Sequence, residues 1–227
     1  MAGQAVVVGG TGQIGRACAR HLAQHGWDVL ALSRGERSMP DELAAHGVEH
    51  RAVDRDDAGA LRGAVDDDVE LLVDVVAYDA EHGAQFLELQ GRVGSIVAVS
   101  SASVYADARG RTIDESADEA SFPALPVPIP ETQATVPPGL ATYSTRKVAL
   151  ERVLLEQDAV PATVVRPCAV HGPGALGARE WWVVGRAVDQ RPYLVCACAG
   201  GTVFHPTRRP TSPSSSAWPA SGPRPAC

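Results

Sequence analysis

Ala5-Val6-Val7-Val8-Gly9-Gly10-Thr11-Gly12-Gln13-Ile14-Gly15 decides how this chain is read. The four apolar residues suit a buried strand. After Gly12, residues Ile14, Cys18, Leu22 and His25 fall on one helical stripe that Gly26 closes. A strand that turns through glycines into a helix aims free backbone N–H groups and the positive end of the helix dipole at a pyrophosphate. Gly9 is expected to permit the tight turn, Gly12 to let the backbone approach the phosphates, and Gly15 to let helix pack on strand. Thr11, Gln13 and Ile14 complete the cradle. The spacing is Gly-x-x-Gly-x-x-Gly rather than Gly-x-Gly-x-x-Gly, and alone it also suits an ordinary strand-to-helix turn.

Working outward, Val29-Leu30-Ala31-Leu32 reads as a second strand ending in Ser33-Arg34. An acidic residue there would take a ribose 2′-hydroxyl, whereas an arginine accommodates a 2′-phosphate. Ser33 and Arg34, with Arg37 in reach, therefore favour NADP over NAD, the alternative being a solvated loop arginine. Val53-Asp54-Arg55-Asp56 closes a third strand; Asp54 is placed to accept from an adenine amino group, with Arg55 beside it. A fourth strand, Leu71–Val76, brings Val76 and Ala77 to the same edge, where small side chains leave room for riboses.

A second signal lies about 130 residues on: Ser100-Ser101 follows the apolar strand Ser95–Val99, and Tyr143-Ser144-Thr145-Arg146-Lys147 opens a helical pattern. Tyr143 and Lys147, four apart on a helix, share a face. An ammonium near a phenol stabilises the phenolate, so Lys147 is expected to lower the Tyr143 pKa and make it an acid/base near neutrality. Lys147 is also positioned to bond a nicotinamide ribose, and Ser101 to hold a substrate oxygen. Tyr-x-x-x-Lys is common by chance; following a fifth strand that ends in Ser-Ser makes it specific.

With these motifs in order, the chain resembles the extended short-chain dehydrogenase/reductases, the NAD(P)-dependent epimerase/dehydratases. Besides the glycine run, the resemblance is carried by Ser100-Ser101-Ala102-Ser103-Val104-Tyr105, by Tyr143 to Lys147, and by Arg166-Pro167-Cys168-Ala169-Val170-His171-Gly172-Pro173-Gly174. It implies a Ser101–Tyr143–Lys147 triad, with Ser103 the weaker candidate serine and Tyr105 structural. It also implies that the backbone from Pro167 to Val170 lies against the nicotinamide. The expected fold is α/β, a doubly wound, mostly parallel Rossmann sheet of about seven strands with a partial C-terminal substrate lobe. The expected reaction is hydride transfer at a hydroxyl or carbonyl carbon of a sugar nucleotide or similar small molecule. Members of the family often form homodimers through a four-helix contact that would include the Tyr143 helix. An Asp-Glu pair after the serine strand, the family pattern for dehydration, is not evident.

Other features depart from the family. Val76-Ala77-Tyr78 replaces its usual Asn-Ala-Ala or Leu-Ala-Ala. A proline-rich stretch from Phe122 to Pro130 lies between Ser101 and Tyr143, where an extended, stiff loop would shape specificity. Residues 1–173 read as the dinucleotide-binding domain and residues 174–205 as a fragment of a substrate lobe. In that fragment Gly177–Val188 reads as a helix and Tyr193–Cys196 as a strand. Residues 206–227 have no acidic residue and no periodicity, and are expected not to order. The tail reads as an out-of-frame translation of a GC-rich gene, the alternative being an ordinary disordered tail.

The net charge of −7 and the lack of a basic stripe argue against a nucleic-acid surface. No leader pattern and no apolar run of membrane-spanning length appear, so a cytoplasmic setting without membrane partners is expected. Five scattered cysteines support neither a disulfide framework nor a metal site. A dinucleotide-binding regulator without turnover, or a truncated remnant, are the competing readings of the same motifs.

Overall fold

The computed structural model describes residues 3–118, 120–175, 177, 181–192 and 207–208. Strand β1 (Gln4–Val8) lies between β2 (Asp28–Ser33) and β4 (Val69–Asp74) in an all-parallel six-stranded sheet of order β3-β2-β1-β4-β5-β6. The remaining strands are β3 (Glu49–Ala52), β5 (Val93–Val99) and β6 (Ala162–Val165). This is the expected doubly wound Rossmann arrangement, with the strand order reversing between β1 and β4, where such sheets leave a crevice.

Period-two alternation explains why β1 is apolar on both sides. Ala5 and Val7 join Val29, Ala31, Val73 and Val97 in one core, against Ala19 of α1 (Gln13–Gln24) and Leu43 of α2 (Asp41–Ala44). Val6 and Val8 face the other way, joining Leu30, Leu32, Leu72 and Ile96. That second core includes Leu61 of α3 (Ala58–Ala64), Phe86 of α4 (Ala80–Leu87), and Leu150 and Leu154 of α5 (Tyr143–Leu155).

The main sheet has six strands rather than about seven. The next strand, β7 (Val170–His171), leaves it and pairs with β8 (Thr207–Arg208) in a separate two-stranded ribbon. Two residues of the tail expected not to order are thus paired. The expected strand at Tyr193–Cys196 and the rest of the tail lie outside the described residues. Helix α6 spans Trp181–Val188, beginning later than the expected Gly177. Among the described residues no helix is long and apolar enough to cross a membrane.

Strand β4 stops at Asp74, two residues before its expected end at Val76. The Asp74 carboxylate, fully buried, turns back to accept from Val76 N at 2.8 Å and Ala77 N at 2.7 Å. A buried carboxylate needs a compensating charge, and Arg55 provides it with Nε 2.7 Å from Asp74 Oδ2. Arg55 also donates to His82 O at 2.9 Å and lies over the Phe86 ring. A second interior pair, Arg166 with Glu151, is bidentate at 3.0 and 2.6 Å and clamps β6 to α5.

Candidate active site

The glycine turn is built as its spacing implies. Gly9 has φ +82°, a conformation side chains rarely adopt. A Cβ on Gly15 would lie 2.2 Å from Gly9 O, so the α1 backbone rests directly on the turn. A Cβ on Gly12 would meet only Gly9 O, at 3.3 Å, and Gly12 borders a cavity of about 990 Å³. Gly12 caps α1 without a side-chain hydrogen bond, and no acidic residue occupies the first turn. The uncapped helix terminus is therefore fit for an anion. Ser100 Oγ, buried on the same cavity wall and lacking a hydrogen-bond partner among the described residues, marks a second place where a ligand's polar group would be satisfied. These features fit a dinucleotide.

At the other end of the cavity stand Ser101, Tyr143 and Lys147. Thr142 and Thr145 form a reciprocal capping box that starts α5 at Tyr143. Ser101 lines the cavity with Tyr143, and its oxygen accepts from Ser103 N at 3.1 Å. Lys147, only 5% exposed, donates to Ala77 O at 2.6 Å and Val99 O at 3.0 Å, with Nζ 5.8 Å from the Tyr143 ring centre. The ammonium is thus spent first on two carbonyls at the ends of β4 and β5.

That arrangement corrects the expectation for the phenol. Burial raises the Tyr143 pKa above its ordinary value, the Ser101 hydroxyl opposes this, and Asp114 and Tyr78 push it further up. Burial lowers Lys147 to about 8, against the pull of Asp74, Glu151 and Asp79. In this structure Tyr143 holds its proton at neutral pH.

The other sequence-derived candidates divide. Gln13, Ile14 and Pro167 line the cavity together with Gly12, and Arg37 reaches it. Gln13 Nε2 also donates to Gly172 O at 3.4 Å. Gly9, Gly15 and Thr11 shape the turn without lining that space. Ser33 Oγ is bonded to His50 Nε2 at 2.8 Å, and exposed Arg34 pairs with Glu36 at 3.3 Å. Asp54 is exposed and accepts from Asp56 N. Arg55 is not at a ligand surface at all; its guanidinium belongs to the interior pair with Asp74. Val76 is exposed, and Ala77 is buried and contributes its carbonyl to Lys147.

The proline-rich stretch expected to shape specificity does line the cavity, but sequence reasoning missed the residues that anchor it. Asp107 accepts from Arg109 N, Arg111 N and Ala124 N and pairs with Arg111, which holds its carboxyl well below the usual carboxylate range. From this anchor the chain brings Ile113 and Asp114, then Phe122, Leu125 and Ile129 of the proline-rich stretch, to the cavity wall. Asp107, Asp114 and Glu115 carry no local periodic signal; only their long-range partners reveal them.

A parallel doubly wound sheet with a glycine turn at its crevice and a Ser-Tyr-Lys set facing it defines a dinucleotide-binding Rossmann protein. Residues 5–190 match the NAD dependent epimerase/dehydratase family, and the chain belongs to that family. Among solved structures it is similar to UDP-glucose 4-epimerase from Thermotoga maritima with UDP-glucose. That match has 16% identity, covers 91% of this chain and 69% of the other, and has a TM-score of 0.63. It is also similar to a UDP-galactose 4-epimerase, at 19% identity over 85% of this chain, with a TM-score of 0.60. A third is the Bordetella bronchiseptica enzyme WbmG in complex with NAD, at 17% identity over 90% of this chain and 71% of the other, also with a TM-score of 0.60. The chain spans 64% of the length of the UDP-galactose 4-epimerase. No curated protein matches it.

Proposed function

We propose that this chain binds NAD(H) across the C-terminal ends of β1, β4 and β5 and transfers hydride at a hydroxyl or carbonyl carbon of a sugar nucleotide or similar small molecule. The observation that carries the reading is that Ser101, Tyr143 and Lys147 line the same cavity as the uncapped α1 terminus at Gly12. Gly12, Gln13 and Ile14 would hold the pyrophosphate, and Ser100 and Lys147 the nicotinamide end. Bound there, the dinucleotide supplies the hydride acceptor or donor. Ser101 fixes the substrate oxygen. Tyr143, a neutral phenol, gives that oxygen its proton in the reducing direction and takes it back in the other. Lys147 adds positive charge behind the phenol.

Family membership supports NAD, as does a neighbour solved with NAD and UDP. The preference for NADP expected from Arg34 finds no support: the family is NAD dependent, and Arg34 is an exposed side chain paired with Glu36. A homodimer through the α4–α5 face accompanies the proposal and is checked by sedimentation.

The test is calorimetric titration with NADH and NADPH, followed by turnover with a panel of UDP-hexoses and small carbonyl compounds. NADH is expected to bind more tightly. Tyr143→Phe is expected to lower turnover about 10²–10⁴-fold while leaving NADH affinity unchanged. Wild-type turnover in that variant would overturn the role given to Tyr143, and binding without any turnover would favour a regulator.

A further inference from the structure

The Tyr143 ring lies 5.8 Å from that of Tyr78, from the turn after β4, and 5.8 Å from Lys147 Nζ on its own helix, and it shares its cavity with Ser101 from the loop after β5 and Asp114 from the closing loop. Asp114 lines the cavity beside Tyr143, and its carboxylate has no ion-pair partner among the described residues. It is nevertheless held in place. Its backbone N–H donates to Ser103 Oγ at 3.1 Å. Ser103 Oγ lies 2.9 Å from Ser144 Oγ, and Ser144 Oγ donates to Glu115 Oε2 at 2.8 Å. With the Ser144 proton committed to Glu115, the Ser103 proton must point to Ser144, which leaves Ser103 free to accept from Asp114. The protons of this chain therefore run one way, from Asp114 N–H to the Glu115 carboxylate.

Glu115 does more than end the chain. Its Oε1 accepts from Ser144 N at 3.1 Å, taking one of the orphan amides in the first turn of α5, and Thr112 Oγ1 also donates to it. Ser103, Ser144 and Thr112 are buried. The residue after Tyr143 is thereby bolted to the residue after Asp114.

We propose that Asp114 and Glu115 act on Tyr143 as a pair. Glu115 locks the first turn of α5 to the closing loop, and that lock seats Asp114 on the cavity wall it shares with Tyr143. Both are positioning residues, and their functional meaning rests on the proposed acid/base role of Tyr143.

The experiment is a pH titration of the ring-carbon NMR signals of 13C-tyrosine-labelled protein, assigned by Tyr→Phe variants, without dinucleotide or substrate. Asp114→Asn is expected to lower the Tyr143 midpoint at low ionic strength, with a smaller effect in high salt. Asp66→Asn, on an exposed turn before β4, is expected to leave it unchanged. Glu115→Ala is expected to displace the Tyr143 signal while that of Tyr105 stays. Should that variant fail to fold, Ser144→Ala, which removes only the hydroxyl link, is expected to displace it as well. An unchanged midpoint in Asp114→Asn, or an unmoved Tyr143 signal in the foldable latch variant, overturns the proposal. Because nothing here requires turnover, an inactive enzyme with a shifted midpoint would refute the functional reading while sustaining this one.

Discussion

The two ends of the cavity are made differently. The α1 end is built of backbone, with glycines that permit a positive φ and a contact no Cβ would allow. The α5 end is built of side chains, with a serine, tyrosine and lysine held by carbonyls, hydroxyls and a carboxylate from four separate segments. Backbone sites tolerate few substitutions but need few distant partners. Side-chain sites are specified by contacts far apart in sequence, so they fail through residues that never touch a ligand.

The comparison can be broken most severely at the side-chain end. Glu151→Ala takes the bidentate carboxylate from half-buried Arg166 and should cost about 1.5–3 kcal/mol, read as a lower denaturation midpoint, although Glu151 does not border the cavity. At the backbone end, Gly15→Ala forces a methyl against Gly9 O and should cost about 1–3 kcal/mol. Gly12→Ala, with room on one side, should leave the thermal midpoint in place and weaken NADH binding in calorimetry. If Gly12→Ala loses stability and Gly15→Ala does not, the division of labour within the turn is wrong.

A gentler probe is pH. Lys147 titrates at about 8 in the folded protein and at 10.5 ordinarily, so between those values the unfolded chain binds more protons. The burial penalty is fully present below pH 8 and is relieved as pH rises toward 10.5. The stability of wild type relative to Lys147→Met should therefore rise over that window, by at most about 3 kcal/mol, and stay flat between pH 6 and 8. A flat difference throughout would show that the lysine is solvated. The smallest effect is expected from Arg34→Ala: NADH affinity should stay within about twofold, since a solvated ion pair contributes less than about 1 kcal/mol.

What was legible in the sequence follows the same division. The glycine turn, the buried strands and the Tyr143–Lys147 helix rest on short-range periodicity and spacing, and they stand where the chain pattern puts them. The end of β4 was not legible, because Asp74 reads as one polar residue in an apolar run until its carboxylate is seen to fold back on Val76 and Ala77. Arg55 was misassigned for the matching reason: a cation beside a sheet edge looks like a ligand residue, while the buried partner that claims it is 19 positions away. The proline-rich stretch was legible as a loop over the site, but its anchors were not, because Asp107, Asp114 and Glu115 act through Arg111, Ser103 and Ser144.

Lys147 is the only lysine in the chain; the other side chains counted with it as permanently cationic are all arginines. A guanidinium could not take its place, since it cannot shed a proton near pH 8 or fit as a point donor between two carbonyls. The substitution pattern of the whole protein thus leaves one side-chain amine, and it sits on the cavity wall. Amine-selective acylation or reductive methylation, with the α-amino group as the internal reference, becomes a footprint of a single atom. A bound molecule that covers Nζ shields it, and the rate of modification reports occupancy of the site without any knowledge of the substrate.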